Sequence, residues 1–492
     1  MNSVYSISST LDGWSKSPNS DSFLSFTLHY LLGNEIKGRV IKLSNDSKSH
    51  TSFDISLFIN SVIEEFQLQR FMPFVLLTDN AANVMKAVKD CNLIAIGDPC
   101  HRYDLVIESV LDTCDVFKKL VEKCQRIAVK TKRSGTIQKA LKEIQMGLYG
   151  MTLKVVVSVP TRWFSNYYMM KRIYDISNEL EGIIKAEAIT LPIKIRKNFI
   201  EEHVLSEGEK MLIQYYLCIL EKVLQKSNLL SSETTPSLSL LLHSHFTLLA
   251  DLRNELTVQS ESFYFTMQSY CIKTRLNSFD SFIEFEMSGL NTESIVEYEP
   301  TDSVIELNES KNDFVNKLIN CLIEKFENYN NILEIDHVVL ATVLNPSIKF
   351  DCFVDDEQFN QMKRIIIRYM NEIDINYMSI SEVGMTNRAR QIDELEMYIS
   401  EPRIKEKNLI DIINYWEHNK YRLPKLYQLS KKYLYLIGSS CSSERLFSHS
   451  SGFVPPKRSR MLPSHLQELC IIHSWISQEN ANVFDNIDFK NE

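Results

Sequence analysis

At 492 residues the chain has room for about three domains of the usual ~150 residues, and its 44% hydrophobic and 24% charged residues are the composition of a folded protein. Only 13 Gly and 13 Pro argue against collagen-like and turn-rich all-β folds and for a helix-dominated chain, and no run approaches the ~18 consecutive apolar residues of a membrane span. With 54 Lys and Arg against 63 Asp and Glu, the net charge of −9 excludes a polycation that coats nucleic acid, so any DNA contact must be local.

The ten Cys include no C-x-x-C pair, which argues against a structural zinc site and fits reduced thiols inside a cell. No apolar leader region follows Met1, so a secretory signal is not expected. Residues 4–12 and 23–32 are rich in β-forming side chains, and Gly33-Asn34 is a hairpin signal before a third extended run at 36–43. Three antiparallel strands are predicted. From 53 to 68, Ile55, Phe58, Ile59, Val62, Ile63 and Phe66 fall on one face of an amphipathic helix. Phe74–Leu77 and Leu93–Ile96 are short apolar runs of the buried-strand type, separated by a helical stretch from Ala81 to Val88. The predicted order is βββαβαβ.

From Asp98 to Lys432 long helical patterns alternate with polar gaps, without an internal repeat. Within that block, residues 116–142 form a basic run that reads either as a phosphate-facing surface or as a solvated helix face, and acid-rich 293–313 is predicted to be a flexible loop. Leu426, Leu429, Tyr433 and Leu436 mark a later helix, and Ser464-x-x-Gln467 after Pro463 reads as the capping box of a last one.

Asp12 is expected at the end of the first strand, and Asp79 at the end of another immediately before a helix. Adjacent strands would bring the two carboxylates together as oxygen ligands for hard Mg²⁺, although Asp-Gly is also an ordinary turn and Asp-Asn an ordinary helix cap.

Several blocks in order share a pattern: Asp12–Trp14 followed by Phe26–Tyr30, Leu77–Asn83, and Thr161-Arg162-Trp163-Phe164-Ser165. Near the end come Tyr415-Trp416, Leu423–Leu426, and Ser439–Ser448, which reads SSCSSERLFS. On these blocks the sequence resembles the hAT superfamily of DNA transposases and the domesticated BED-type zinc-finger proteins derived from them. The resemblance implies an α/β plus α fold: a ribonuclease-H-like catalytic core interrupted by a large all-helical insertion, with a helical C-terminal segment. The first part of the core would be 1–97, the insertion 98–432, and 433–492 the return to the core, with a dimerising region at about 409–475.

It further implies that Asp12, Asp79 and Glu444 form the catalytic site and hold two Mg²⁺ (or Mn²⁺) ions for phosphodiester cleavage and strand transfer. Trp14, Arg162 and Trp163, together with Lys130, Lys132 and Arg133 of the basic run, would contact DNA, and Trp163 would stack on a displaced base unless it serves as a core anchor. Nuclear location and a homodimer or higher oligomer follow from the same likeness. The sequence departs from the family pattern where Asp98-Pro99-Cys100-His101 stands for C-x-x-H, and where Leu344-Asn345-Pro346-Ser347-Ile348-Lys349 stands for L-D-P-R-F-K. His101 is read as a packed or hydrogen-bonded residue rather than a metal ligand. With eleven residues before Asp12, a BED finger is not expected within this sequence. Two functions remain: a transposase with a three-acid site, or a domesticated dimerising, DNA-associated regulator that no longer cuts.

Overall fold

The computed structural model describes residues 6–16, 21–45, 51–159, 164–258, 309–353, 355–373, 387–405, 408–441, 443 and 463–477. Two compact units divide the chain: Met1–Val106, Lys222–Leu248 and Phe326–Asn480 form the first, and Ile107–Glu221, Leu249–Lys325 and Ala481–Glu492 the second.

The first unit is built on a five-stranded sheet of β1 (Ile7–Lys16), β2 (Asp21–Leu32), β3 (Glu35–Asn45), β4 (Val75–Thr78) and β5 (Ile94–Gly97), in the order β3-β2-β1-β4-β5. The hairpin between β2 and β3 turns at Gly33, whose φ of +61° is a conformation only glycine adopts without strain. β1 pairs antiparallel with β2, whereas β1, β4 and β5 are mutually parallel, as buried apolar runs joined through a helix require. α1 (Ser52–Glu65) and α2 (Ala82–Asp90) supply those connections. The hydroxyl of Thr51 caps α1 by accepting from the backbone N–H of Asp54 at 3.2 Å.

Alternation along β1 decides what lies on each face. Ile7 and Leu11 join Ile55, Ile59, Val62 and Ile63 of α1 and Ala87 and Val88 of α2 in one apolar core. Ser8, Thr10 and Asp12 project to the other face, where polar side chains are useful only if backbone or hydroxyl groups meet them. They are met. Residues 434–441 and Ser443 return along this face, Ile437 N–H donating to Ser8 Oγ at 3.2 Å and the Ser443 and Thr10 hydroxyls lying 2.8 Å apart.

Downstream helices are α3 (Pro99–Thr113), α4 (Asp115–Arg133), α5 (Gly135–Tyr149), α6 (Ser165–Asp175), α7 (Ser177–Ile189), α8 (Ile193–His203), α9 (Glu207–Leu230) and α10 (Leu241–Val258). They are followed by α11 (Glu309–Glu327), α12 (Asp336–Val343), α13 (Asp356–Asn371), α14 (Asn387–Ser400), α15 (Leu409–Asn419), α16 (Pro424–Tyr433) and α17 (Pro463–Ser477). In the first unit α12 is buried through most of its length, and Trp416 of α15, fully enclosed, donates its indole N–H to Leu344 O at 3.0 Å. In the second unit Phe117, Leu120, Cys124 and Ile127 form the inner face of α4, and Lys123 is buried against Glu209 at 2.7 Å.

Several expectations shift. Asp12 is not at the end of β1, which runs on to Lys16; it lies just past the last parallel pair, Leu11 with Thr78, because only β2 continues beside it. Glu309–Asp313, expected in the acid-rich loop, begin α11, while 293–308 lie outside the described residues. Leu436 falls beyond the end of α16 at Tyr433. α17 opens at Pro463, a good first helical residue because it needs no N–H acceptor, so Ser464 is inside the helix rather than its cap. The L-N-P-S-I-K departure is structurally absorbed: buried Asn345 donates to Ser239 Oγ at 2.8 Å and accepts from Ser347, and Lys349 Nζ donates to Tyr398 O and to Glu401 O at 2.9 Å.

Candidate active site at the carboxyl ends of three parallel strands

The parallel register aligns Leu11 with Thr78 and Thr78 with Gly97. Asp12, Asp79 and Asp98 are therefore the next residue on each of three neighbouring strands, at the sheet end where open α/β folds bind ligands. The Asp12 carboxyl is pushed up to about 7, mainly because protein surrounds it and water does not reach it freely. The hydrogen bond from Gly13 N–H, 2.8 Å from Oδ1, opposes that rise, while the charges of Asp79 and Asp98 add to it. Asp79 is exposed, and its Oδ1 accepts from the Thr78 hydroxyl and from Ala81 N–H, each at 3.3 Å. Both residues thus commit one carboxylate oxygen locally.

Asp98 differs in kind. It is fully buried, and Oδ1 accepts from the N–H groups of Cys100 at 2.6 Å and His101 at 3.2 Å, capping α3 behind Pro99. Oδ2 accepts from Ser440 N–H at 2.5 Å, Ser440 Oγ at 2.6 Å and Ser439 Oγ at 2.9 Å. Sequence reading treated Asp98 only as a departure from a motif. The signal that reveals it is its position directly after the third short buried strand, in register with the other two acids.

Gly97 completes the floor. A Cβ there would lie 1.9 Å from Asn80 Oδ1, so any larger residue at this strand end would push the Asn80 side chain out of its place.

Glu444, Arg162 and Trp163 lie outside the described residues, as does the side chain of Trp14, whose backbone pairs with Phe23. Lys130 is held by Glu187 at 3.0 Å and lies over the Phe199 ring, whereas Lys132 and Arg133 at the end of α4 are exposed. His101 is tied to Asp98 through its backbone. Among the described residues no three His, Cys, Asp or Glu side chains gather to hold a metal ion. The donor set at hand is a pair of carboxylates, which suits a hard divalent cation once another ligand joins them.

The fold and these carboxylates define a mixed α/β protein, rich in helix, with acids at a sheet end. Residues 394–476 match the hAT family C-terminal dimerisation region. The chain is 22% identical to a Zea mays protein described as an AC transposase, over 97% of this chain and 58% of that relative. It is 28% identical over 178 residues to the transposable element Hobo transposase of Drosophila melanogaster, covering 36% of this chain and 26% of that one. The chain thus spans little more than half of the longer match and about a quarter of the other. The chain is thus similar to transposases, and residues 394–476 to a region described as one of dimerisation in the hAT family. Among the described residues no helix is long and apolar enough to cross a membrane.

Proposed function

We propose that the chain is a hAT-type transposase-like protein whose sheet is a ribonuclease-H-like core and whose Asp12, Asp79 and Glu444 form one site for phosphodiester cleavage and strand transfer. The observation that carries this reading is the return of Ile437 and Ser443 to the Ser8-Thr10-Asp12 face of β1. That path leads from Ser8 towards Asp12, and Ser443, bonded to Thr10, is the residue before Glu444.

Asp12, Asp79 and Glu444 would hold two Mg²⁺ or Mn²⁺ ions, which when bound supply an activated oxygen nucleophile and neutralise the leaving oxygen. The chain's own part is positional and electrostatic. Gly13 N–H fixes one oxygen of Asp12, and Ala81 N–H fixes one of Asp79, so neither carboxylate has to be ordered when a cation arrives. Crowding that raises Asp12 towards neutrality is relieved by a positive charge, which makes cation binding stronger as pH rises through 7. DNA is the proposed substrate, with Arg162, Trp14, Trp163 and the exposed Lys132 and Arg133 beside the backbone or a displaced base, and the nucleus is the corresponding location. The C-terminal region would join two or more copies.

A second reading, a domesticated dimerising regulator that no longer cuts, is favoured by the net charge of −9 and by the altered C-x-x-H and L-D-P-R-F-K motifs. Incubation of the purified chain with supercoiled and short duplex DNA in Mg²⁺ or Mn²⁺ separates the two. Cleavage that Glu444→Gln and Asp79→Asn each abolish supports the transposase. A nick that survives both variants overturns the site, and salt-sensitive DNA binding without any nick supports the regulator.

A further inference from the structure

Of the three strand-end acids, Asp98 is the one without a role in the proposed chemistry, yet it is the most elaborately bonded. Its two oxygens accept five hydrogen bonds, two from the first turn of α3 and three from Ser439 and Ser440, more than 340 residues further along the chain. A carboxylate so saturated has no oxygen left for a cation. It joins two pieces of backbone that the sequence keeps far apart, and it does so at the same sheet end as Asp12 and Asp79.

We infer that Asp98 is a positioning residue, a buried carboxylate latch that fastens the returning residues 437–441 to the site end of the sheet. The inference rests on the proposed acid site for its purpose, though not for its geometry. Further bonds make the segment a tight fit around the latch. Ser443 N–H donates to Ser440 O at 2.9 Å, and Cys441 N–H to the same Ser439 Oγ that donates to Asp98. Gly438 passes so close to the Ser237-Leu238 backbone that a Cβ would lie 2.9 Å from it. Serine at 439 and 440 is what a buried carboxylate requires, since each hydroxyl supplies a donor in a space where water is excluded. A carboxylate accepting from both N–H and O–H donors makes charge-assisted bonds, stronger than the neutral ones an amide would make, and in Asp98→Asn an amide NH₂ would face the two donors of Oδ1 or the three of Oδ2.

Cys441, nearly buried beside the latch, and Cys91, buried in the apolar core under α1, allow opening of the latch to be told from general loosening. The full chain is reacted with a maleimide, and labelling of each cysteine is followed by mass spectrometry in the wild type, Asp98→Asn and Ser440→Ala. Cys441 is expected to label roughly tenfold faster or more in Asp98→Asn and a few-fold faster in Ser440→Ala, with Cys91 unchanged. Equal acceleration of both cysteines, or none at Cys441, overturns the latch; should Asp98→Asn fail to fold, Ser440→Ala decides by the same criteria. The site is read separately by Mn²⁺ titration. If the latch positions the acids, Asp98→Asn lowers Mn²⁺ affinity at least roughly tenfold, as a lost supporting shell does at metal sites. Unchanged affinity with a freed Cys441 overturns the positioning role. A wild type that binds no Mn²⁺ lost in Asp79→Asn overturns the acid site itself, and labelling still decides whether the latch exists.

Discussion

Asp12 is stabilised in its neutral form by the fold and destabilised as a carboxylate, the reverse of a residue retained for stability. Its folded value near 7 lies above that of the unfolded chain, so the folded state holds the extra proton between about pH 4 and 7, and stability falls as pH rises through that window. Glu394, buried where it accepts the Leu426 N–H at 2.8 Å at the start of α16, is likewise raised to about 7 and acts in the same direction. His337, pushed down to about 4 by burial, acts oppositely, since the unfolded chain takes up its proton first as pH falls. Asp12→Asn should therefore raise the melting midpoint of the metal-free protein at pH 8, corresponding to roughly 1–2 kcal/mol, and change it little at pH 4. It should also remove any stabilisation by added Mn²⁺. Calorimetry at the two pH values checks both; a loss of stability at pH 8 would mean that Asp12 is held by partners rather than crowded by them. Asp12 and Asp79 were recognisable in the sequence as acids beside strands, but the rise of Asp12 was not, because burial and the neighbouring Asp98 depend on tertiary packing.

At the level of elements, the polar face of β1 and the returning segment explain each other. A strand reading Ile-Ser-Ser-Thr-Leu-Asp is polar enough to pass for an exposed one, yet Ser8, Ser9 and Thr10 are wholly buried. The hydroxyls of Ser8 and Thr10 are used by Ile437 and Ser443. Gly438 is the position where this contact leaves no room, so Gly438→Ala should cost roughly 2 kcal/mol by forcing the backbones of 437–439 and 237–238 apart. A midpoint lowered by several degrees, with faster amide exchange confined first to 436–441, is expected; an unchanged midpoint would show that the crossing relaxes freely. The other device at this scale is the outer edge of β3. Ser474 Oγ accepts from Val40 N–H and Trp475 Nε1–H donates to Val40 O, both at 3.0 Å, so α17 covers backbone groups that would otherwise invite another strand. The helix was legible from its sequence, and its place on the edge of β3 was not.

For the molecule as a whole, self-association depends on where apolar surface remains. Ile412, Trp416, Leu426, Leu429, Tyr433 and Leu436, within the dimerising region expected at about 409–475, are buried within the first unit. Exposed apolar residues of the matched region include Met397, Ile410 and Tyr421, and a set on one helix, α17, with Leu469 39%, Ile472 52% and Trp475 44% accessible. The three on α17 fall within the matched dimerisation region and are spaced about one turn apart, so a partner chain is expected to cover them. Light scattering should give a dimeric or larger mass at micromolar concentration for the wild type, and a smaller mass for Leu469→Asp with Ile472→Asp. A monomeric wild type, or an assembly indifferent to both changes, would move the interface elsewhere.

The order βββαβαβ, the placement of Asp12 and Asp79 beside strands, and the helical character of the chain beyond Asp98 could all be read from the sequence, because alternation, helical periodicity and short apolar runs are local properties that a strand or helix must satisfy by itself. Tertiary structure alone decided the parallel register that sets Asp12, Asp79 and Asp98 side by side, the burial that raises Asp12, and the capture of Ser439 and Ser440 by Asp98. Each of these joins residues tens to hundreds of positions apart, and nothing in a stretch of chain records which distant donor will meet a buried carboxylate.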